Sequence, residues 1–294
     1  MEAVPCGTAR TKAFQHAPEV GKRLQRVTHG QAEAGAAGSV RLVSLHAPIM
    51  KRLPPRIQGV LRASKRETKA LLLAGRSVEC PVCHGRFRRL LAVANGEQML
   101  CPRCLSLERH RRVILFLRRS TNLYHDRLRV LHIAPELGMQ RELARLPNLE
   151  YLTGDLYARN TNLELDVTAI DFPDESFDVI LCSHVLEHVV DDRQAMRELR
   201  RVLRRDGWAL INVPSDPRRT ETYEDESIVD PHQRLVHFGQ EDHVRIYSAE
   251  GFLKRLNEAG FEVEVDPFVF SPYERARYAL DDDGWDHSYV CKCA

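Results

Sequence analysis

From Arg127 onward, short apolar runs alternate with longer amphipathic ones. The runs at 129–134, 150–154, 162–166, 177–182, 208–213, 261–266 and 287–292 are bounded by turn residues and read as strands. Between them, 137–146, 192–204 and 248–259 place apolar residues at helical spacing. Strand alternating with helix predicts an α/β fold: a largely parallel sheet with helices on both faces. Upstream, 56–74 carries Ile57, Val60, Leu61 and Leu71 to Leu73 among basic residues, and predicts a basic amphipathic helix. The apolar spacing of 105–119 predicts a further helix leading into the sheet. Residues 1–49 hold no sustained period and read as a poorly ordered extension. The chain therefore divides into 1–49, a segment 50–126 with two helices and the cysteine pairs, and an α/β domain over 127–294.

Charge changes this picture. The net charge of +2 hides a basic front and an acidic back. Residues 1–130 hold 25 Lys and Arg against 8 Asp and Glu, and residues 131–294 hold 18 against 33. A basic front attracts polyanions, RNA among them. Equally, the two halves neutralise each other where they meet. No run of about 18 apolar residues exists, so no membrane span is expected.

Four of the eight cysteines form two pairs, Cys80-Pro-Val-Cys83 and Cys101-Pro-Arg-Cys104, with seventeen residues between them. That spacing is a zinc pattern. Four thiolates complete a tetrahedron and leave no position for a catalytic water, so Cys80, Cys83, Cys101 and Cys104 predict a small ribbon with structural Zn2+. Paired cysteines of this kind fit a reducing, cytoplasmic setting.

In an open parallel sheet, ligands bind beyond the carboxyl ends of the strands. The first strand ends in His132-Ile133-Ala134-Pro135-Glu136-Leu137-Gly138, where a nucleoside-binding fold usually has a glycine-rich turn. Asp155, with Leu156 after it, ends the next strand at the distance where an acidic residue accepts hydrogen bonds from ribose. Asp166 and Val167 follow the third, placed to meet a base by amino group and ring; turn formation is the other use of such an Asp.

The block from Asp166 to Val213 resembles class I S-adenosylmethionine-dependent methyltransferases. The resemblance rests on Phe172-Pro173-Asp174-Glu175-Ser176-Phe177-Asp178-Val179-Ile180, on Ser183-His184-Val185-Leu186-Glu187-His188-Val189, and on the helix and turn from Arg197 to Trp208. It implies a Rossmann-like seven-stranded sheet whose last strand, Ser288 to Cys291, runs antiparallel, and S-adenosylmethionine as cofactor. His132 stands where the family has an acidic residue, and Ala134-Pro135-Glu136 replaces Gly-x-Gly. Carried over, the cofactor-binding positions are His132, Ala134, Glu136, Gly138, Asp155, Leu156, Asp166, Val167, Ser183 and His184, with Glu136 toward the cofactor's amino group. The nearest match is a subgroup with this altered loop preceded by a cysteine ribbon.

Methyl transfer needs alignment, and a base when the acceptor must lose a proton. Histidine suits that role near neutral pH. His184 and His188 follow the fourth strand, and His243 lies in the long segment 214–247. That segment also holds His232, His237, Asp242 and Arg245 and reads as a loop lid over the acceptor, with His243 and Arg245 facing it. Capping and cofactor-lining roles for Ser183 and His184 are the alternative, as is a cation held by Glu187 and His188. Three functions stay open: methylation of a small-molecule acceptor, methylation of RNA gripped by residues 1–130, and a non-catalytic adaptor with a degenerate fold.

Overall fold

The computed structural model describes residues 54–93, 99–157, 161–266, 269–280 and 288–294, so the expectation for residues 1–49 lies outside the described residues. Residues from Pro54 onward belong to one compact unit, Arg52–Ala294. In chain order it contains α1 (Pro55–Leu72), β1 (Ala74–Glu79), β2 (Arg86–Phe87), β3 (Leu91–Ala92), β4 (Met99–Leu100) and α2 (Glu108–Ser120). Then follow β5 (Leu128–Ile133), α3 (Leu137–Leu143), β6 (Leu149–Asp155), β7 (Leu163–Glu164) and β8 (Phe177–Ser183). A 3-10 turn (Leu186–His188), α4 (Asp192–Val202), β9 (Leu203–Asn212), β10 (Tyr223–Glu224), α5 (Pro231–Phe238) and β11 (Arg245–Ile246) come next. The chain closes with α6 (Ala249–Glu258), β12 (Phe261–Asp266), α7 (Pro272–Tyr278) and β13 (Ser288–Cys293). Among the described residues no helix is long and apolar enough to cross a membrane.

Seven strands form one sheet in the order β12-β13-β9-β8-β5-β6-β7. The neighbours from β9 to β7 pair in parallel, and β13 runs antiparallel to both β9 and β12. This is the expected seven-stranded α/β sheet with one reversed strand. From β5 the chain winds outward through β6 and β7, then returns to start β8 on the other side of β5. The crevice beyond the carboxyl ends of β5 and β8 is thus the switch point at which such sheets bind ligands.

Side chains alternate across each strand. Leu131, Ile133, Ile180, Cys182, Ala209 and Ile211 pack with Ala195, Met196 and Leu199 of α4 and Phe252 and Leu256 of α6. Val130, Val179, Leu181 and Leu210 face the other way, into a cluster with Met139, Leu143 and the α2 residues Val113 to Leu117. Cys80, Val82, Phe87 and Cys101 belong to that second cluster as well. The linking helix is therefore a layer of the fold that covers the sheet. Each fully buried aliphatic or aromatic side chain contributes about 1.5–3 kcal/mol, so the apolar stretch of α2 supplies roughly 10 kcal/mol gross. Exposed ion pairs contribute about 0–1 kcal/mol each and cannot decide the docking. Arg111, fully buried, fixes the register: its guanidinium donates to the carbonyls of Met99, Ser106, Tyr278 and Ala279 at 2.7–3.1 Å.

Two local expectations change. The helix expected over 192–204 stops at Val202, because Leu203 already pairs with Phe177 in the sheet. The register then slips before Val179 meets Trp208. Gly207 sits in this irregular stretch, where an added Cβ would lie 2.6 Å from the Asp178 carbonyl. The segment 214–247, expected as a loop, contains α5 and the β10–β11 pair. Asp230 caps α5 by accepting from the Gln233 amide at 2.9 Å, Pro231 opens it, and Gly239 closes it at a φ of 84°.

Candidate cofactor and acceptor site

The two cysteine pairs build matching knuckles. The residue after each pair adopts a left-handed backbone, His84 at a φ of 56° and Leu105 at 64°. The first cysteine of each pair donates its amide to a carbonyl five residues on, Cys80 to Gly85 at 2.8 Å and Cys101 to Ser106 at 2.9 Å. The four sulfurs come together as free thiols, with Cys80 to Cys104 and Cys83 to Cys101 both at 3.6 Å. A tetrahedron with Zn–S bonds of about 2.3 Å has edges near 3.8 Å. The donor set and its spacing fit zinc.

The knuckle of Cys104 rests on the start of α3. A Cβ built on Gly138 would lie 3.0 Å from the Cys104 carbonyl oxygen and 3.3 Å from Val82. Gly138 therefore serves close packing between cysteine module and sheet domain, a use of glycine that the loop comparison did not supply.

A narrow cleft opens at the switch point. Its lining comes from Arg109, His110, Arg112 and Val113 of α2, Glu136 and Met139 at the start of α3, Ser183 and His184 after β8, Asn212 at the end of β9, and Ser288 of β13. Ala134 and His184 leave their strands with φ of 45° and 54°, each tied by its amide to a neighbouring strand: Ala134 to the Gly154 carbonyl at 2.7 Å and His184 to that of Asn212 at 2.9 Å. Left-handed non-glycine residues cost energy and gather at functional sites.

Glu136 dominates the electrostatics. Burial opposes its ionisation, but the His110 ring, His132 and nearby backbone hydrogen bonding outweigh that and hold its carboxyl down to about 2. His110 Nδ1 accepts the Leu107 amide at 3.1 Å, so Nε2 carries the ring proton, 3.1 Å from Glu136 Oε1. That contact is close but poorly aligned. His110 Nε2, Glu136 Oε2 and Asn212 Oδ1 are all buried without a hydrogen-bond partner. Atoms left this way cost about 1–3 kcal/mol each. A ligand with donors and acceptors of its own would satisfy them. His132, in place of an acidic residue, lies wholly buried under the cleft, with Nδ1 2.8 Å from Tyr151 Oη and Nε2 3.9 Å from Glu136 Oε2. Burial pushes its pKa down to about 4, against the pull of Glu136, so it is neutral at pH 7.

Of the expected cofactor residues, Glu136, Ser183 and His184 line the cleft directly. Asp155, Leu156, Asp166 and Val167 lie outside that lining, along the ends of β6 and β7. Asp155 accepts the Tyr157 amide at 2.9 Å through Oδ1. Asp166 accepts both the amide and hydroxyl of Thr168 at 2.8 and 2.7 Å, also through Oδ1. Among the described residues, the second oxygen of each accepts no hydrogen bond. Leu156 is exposed and Val167 buried in the core. Sequence reasoning missed Arg109, His110, Asn212 and Ser288. The signal for the first two was Leu107-Glu108-Arg109-His110-Arg111-Arg112, a charged turn opening an otherwise apolar helix.

The acceptor candidates form a second cluster beside the cleft. Glu187 is buried, with Oε1 3.4 Å from His184 Nδ1 and 4.0 Å from His188 Nε2. The rings of His188 and His243 meet edge to face with centroids 4.7 Å apart. Burial lowers the His243 pKa below its usual 6.5, although Glu187 opposes this, so the ring is unprotonated at neutral pH. Asp242 Oδ2 lies 3.4 Å from His188 Nδ1, and the Val244 amide donates to the Glu187 carbonyl at 2.9 Å. Glu187, His188 and His243 have metal-ligand atoms within 4.8 Å of one another.

Arg245 departs from its expected place against the acceptor. It is buried, with Nη1 donating to the Leu186 and Val189 carbonyls, Nη2 to that of Val190 and Nε to Glu224. Three of these bonds fasten β11 onto the turn after β8, and the fourth ties it to β10. Arg255 and Tyr247 meet on Asp192 at 2.6 and 2.5 Å and complete the anchor. His232 and His237 are exposed on α5, and His237 Nδ1 contacts Tyr223 Oη at 2.8 Å.

Residues 133–211 match the family model described as a methyltransferase domain. An uncharacterized methyltransferase, YcgJ, from Bacillus subtilis (strain 168) is 44% identical over 52 residues, 17% of this chain and 21% of that protein. The ubiquinone/menaquinone biosynthesis C-methyltransferase UbiE from Hahella chejuensis is 35% identical over 65 residues, 21% of this chain and 26% of that protein. The chain thus spans about a fifth to a quarter of the length of these curated relatives. Among solved structures, an S-adenosylmethionine-dependent methyltransferase from Archaeoglobus fulgidus superposes with a TM-score of 0.42 at 16% identity, covering 62% of this chain and 94% of that one.

Proposed function

We propose that this chain transfers a methyl group from S-adenosylmethionine to a small-molecule acceptor, and that a structural zinc ion ties the cysteine module to the sheet. One observation carries the first part: the switch-point cleft holds buried, unpaired polar atoms of Glu136, inside the 133–211 methyltransferase-domain match, of Asn212, one residue past it, and of His110 on α2. When bound, the cofactor supplies an electrophilic methyl on sulfur. Glu136 would receive its ammonium, Asp155 the ribose hydroxyls through its free oxygen, and Asp166 the base. Cys80, Cys83, Cys101 and Cys104 would hold the zinc.

His243 is the residue best suited to take a proton from an acceptor, because burial keeps it neutral and His188 fixes its ring. Positioned general bases contribute about 10²–10⁴-fold. Arg245 and Asp192 act through it, by holding the lid strand against β8.

The paired charges support a small acceptor over RNA. Arg118 meets Glu142 at 2.5 Å, Arg129 meets Glu150 at 2.9 Å, and Arg119 meets Glu274. Three arginines of the basic front are thus neutralised by carboxylates of the acidic back. Incubation with methyl-labelled cofactor, metabolite extract and total RNA tests the reading. Label in the small-molecule fraction supports it, and label in RNA favours the second substrate class. No label in either, from folded protein that binds no cofactor, favours the adaptor.

A further inference from the structure

We propose that α2, brought to the cleft by the cysteine module, replaces the missing glycine-rich loop as the receptor for a zwitterionic amino-acid end: Arg109 takes the carboxylate, and Glu136 with His110 takes the ammonium. This rests on the reading that the cleft holds S-adenosylmethionine.

A glycine-rich turn holds its ligand with backbone amides. Here Pro135 has no amide hydrogen, and the Ala134 amide is already donated to Gly154. Two positions of this turn are thus withdrawn from amide donation, and side chains make up for them. Those available belong to α2. Arg109 lines the cleft, and its Nε is buried without a hydrogen-bond partner. Among the described residues no ion pair forms on Arg109, whereas its neighbours are committed: Arg112 to Glu108 at 2.7 Å, and Arg111 to four carbonyls. A half-buried guanidinium with no anion is a site for one, and a carboxylate matches its fork.

Glu136 is the complementary half. Its buried Oε2 lacks a donor, and an ammonium supplies three. His110, 6% exposed, keeps the carboxylate company through a misaligned contact and leaves Nε2 unsatisfied as well. A cation-receiving carboxylate and an anion-receiving guanidinium on one narrow cleft suit a group that carries both charges on one carbon.

Two probes separate the parts. S-Adenosylhomocysteine carries the amino-acid end; methylthioadenosine has the same nucleoside and thioether without it. Calorimetry on the full zinc-loaded chain should find the first bound more tightly. Arg109→Ala should weaken S-adenosylhomocysteine on the order of 10- to 100-fold, the effect of losing a hydrogen bond to a charged group, and leave methylthioadenosine unchanged. Glu136→Gln should show the same split. Retained methylthioadenosine binding also reports that each variant is folded. Equal loss for both probes, or loss for neither, overturns the assignment. A wild-type chain that binds methylthioadenosine as tightly as S-adenosylhomocysteine overturns it while sparing the cofactor reading. A wild-type chain that binds neither overturns both.

Discussion

Gly138 of α3 faces the backbone of Cys104 so closely that a Cβ on it would stand 3.0 Å from the cysteine's carbonyl oxygen. The cysteine knuckle and the loop carrying Glu136 are thereby pressed into one body. Gly138→Val should destabilise the fold by the roughly 1–3 kcal/mol typical of overpacking, lowering the thermal midpoint, and weaken S-adenosylhomocysteine along with it. Gly138→Ala should forfeit the gain of about 0.5–1 kcal/mol expected for alanine in a helix. Scanning calorimetry of both variants checks this; a midpoint for Gly138→Val equal to wild type would place the knuckle elsewhere.

Metal analysis of the chain purified under reducing conditions should find one zinc per chain. Its removal by a strong chelator should lower the thermal midpoint and loosen the two cysteine knuckles, since ligand-set formation and folding are coupled. Cys101→Ser should do the same without chelator. A zinc-free preparation with an unchanged midpoint would remove the metal from the account.

Much of this was legible in advance. The sheet strands expected at 129–134, 177–182 and 261–266 lie within a residue or so of those found, because each is an apolar run closed by polar turn residues. The Cys80–Cys104 cluster was legible because spacing alone brings its ligands together. Arg109 and His110 were not, since helical periodicity marks which face is buried and says nothing of what its first turn meets. Arg245 misled for a related reason: an arginine in a long connection looks free until the carbonyls of Leu186, Val189 and Val190 converge on it. Asp230-Pro231 and Phe238-Gly239 did announce α5, as cap, first-turn proline and terminating glycine, within a stretch otherwise read for its histidines.

His132 gives the fold an acid dependence. Its pKa falls from 6.5 to about 4 on burial, so the folded state binds fewer protons than the unfolded one. The shift costs nothing above pH 6.5, where the ring is neutral in both states, and destabilises the fold progressively as pH falls toward 4, by about 3 kcal/mol. Glu136, also lowered, extends the loss from about 4.5 toward 2. Urea unfolding of wild type and His132→Asn between pH 4 and 7 should show a shallower slope in the variant. Parallel slopes would mean that His132 is solvated.

Arg245 should behave as an anchor. Arg245→Lys keeps the charge but cannot reach three carbonyls and Glu224 together. It should lower the thermal midpoint and the transfer rate, with S-adenosylhomocysteine affinity nearly unchanged. A normal midpoint with a raised acceptor KM would instead return Arg245 to the acceptor.

The central claim is that the cleft beyond β5 and β8 binds S-adenosylmethionine through Glu136 and its neighbours. Titration calorimetry of the full chain with S-adenosylmethionine tests it most directly. The account predicts one molecule bound per chain, with affinity in the micromolar range and sharply reduced by Glu136→Gln; no heat of binding to the folded, zinc-loaded chain would contradict it.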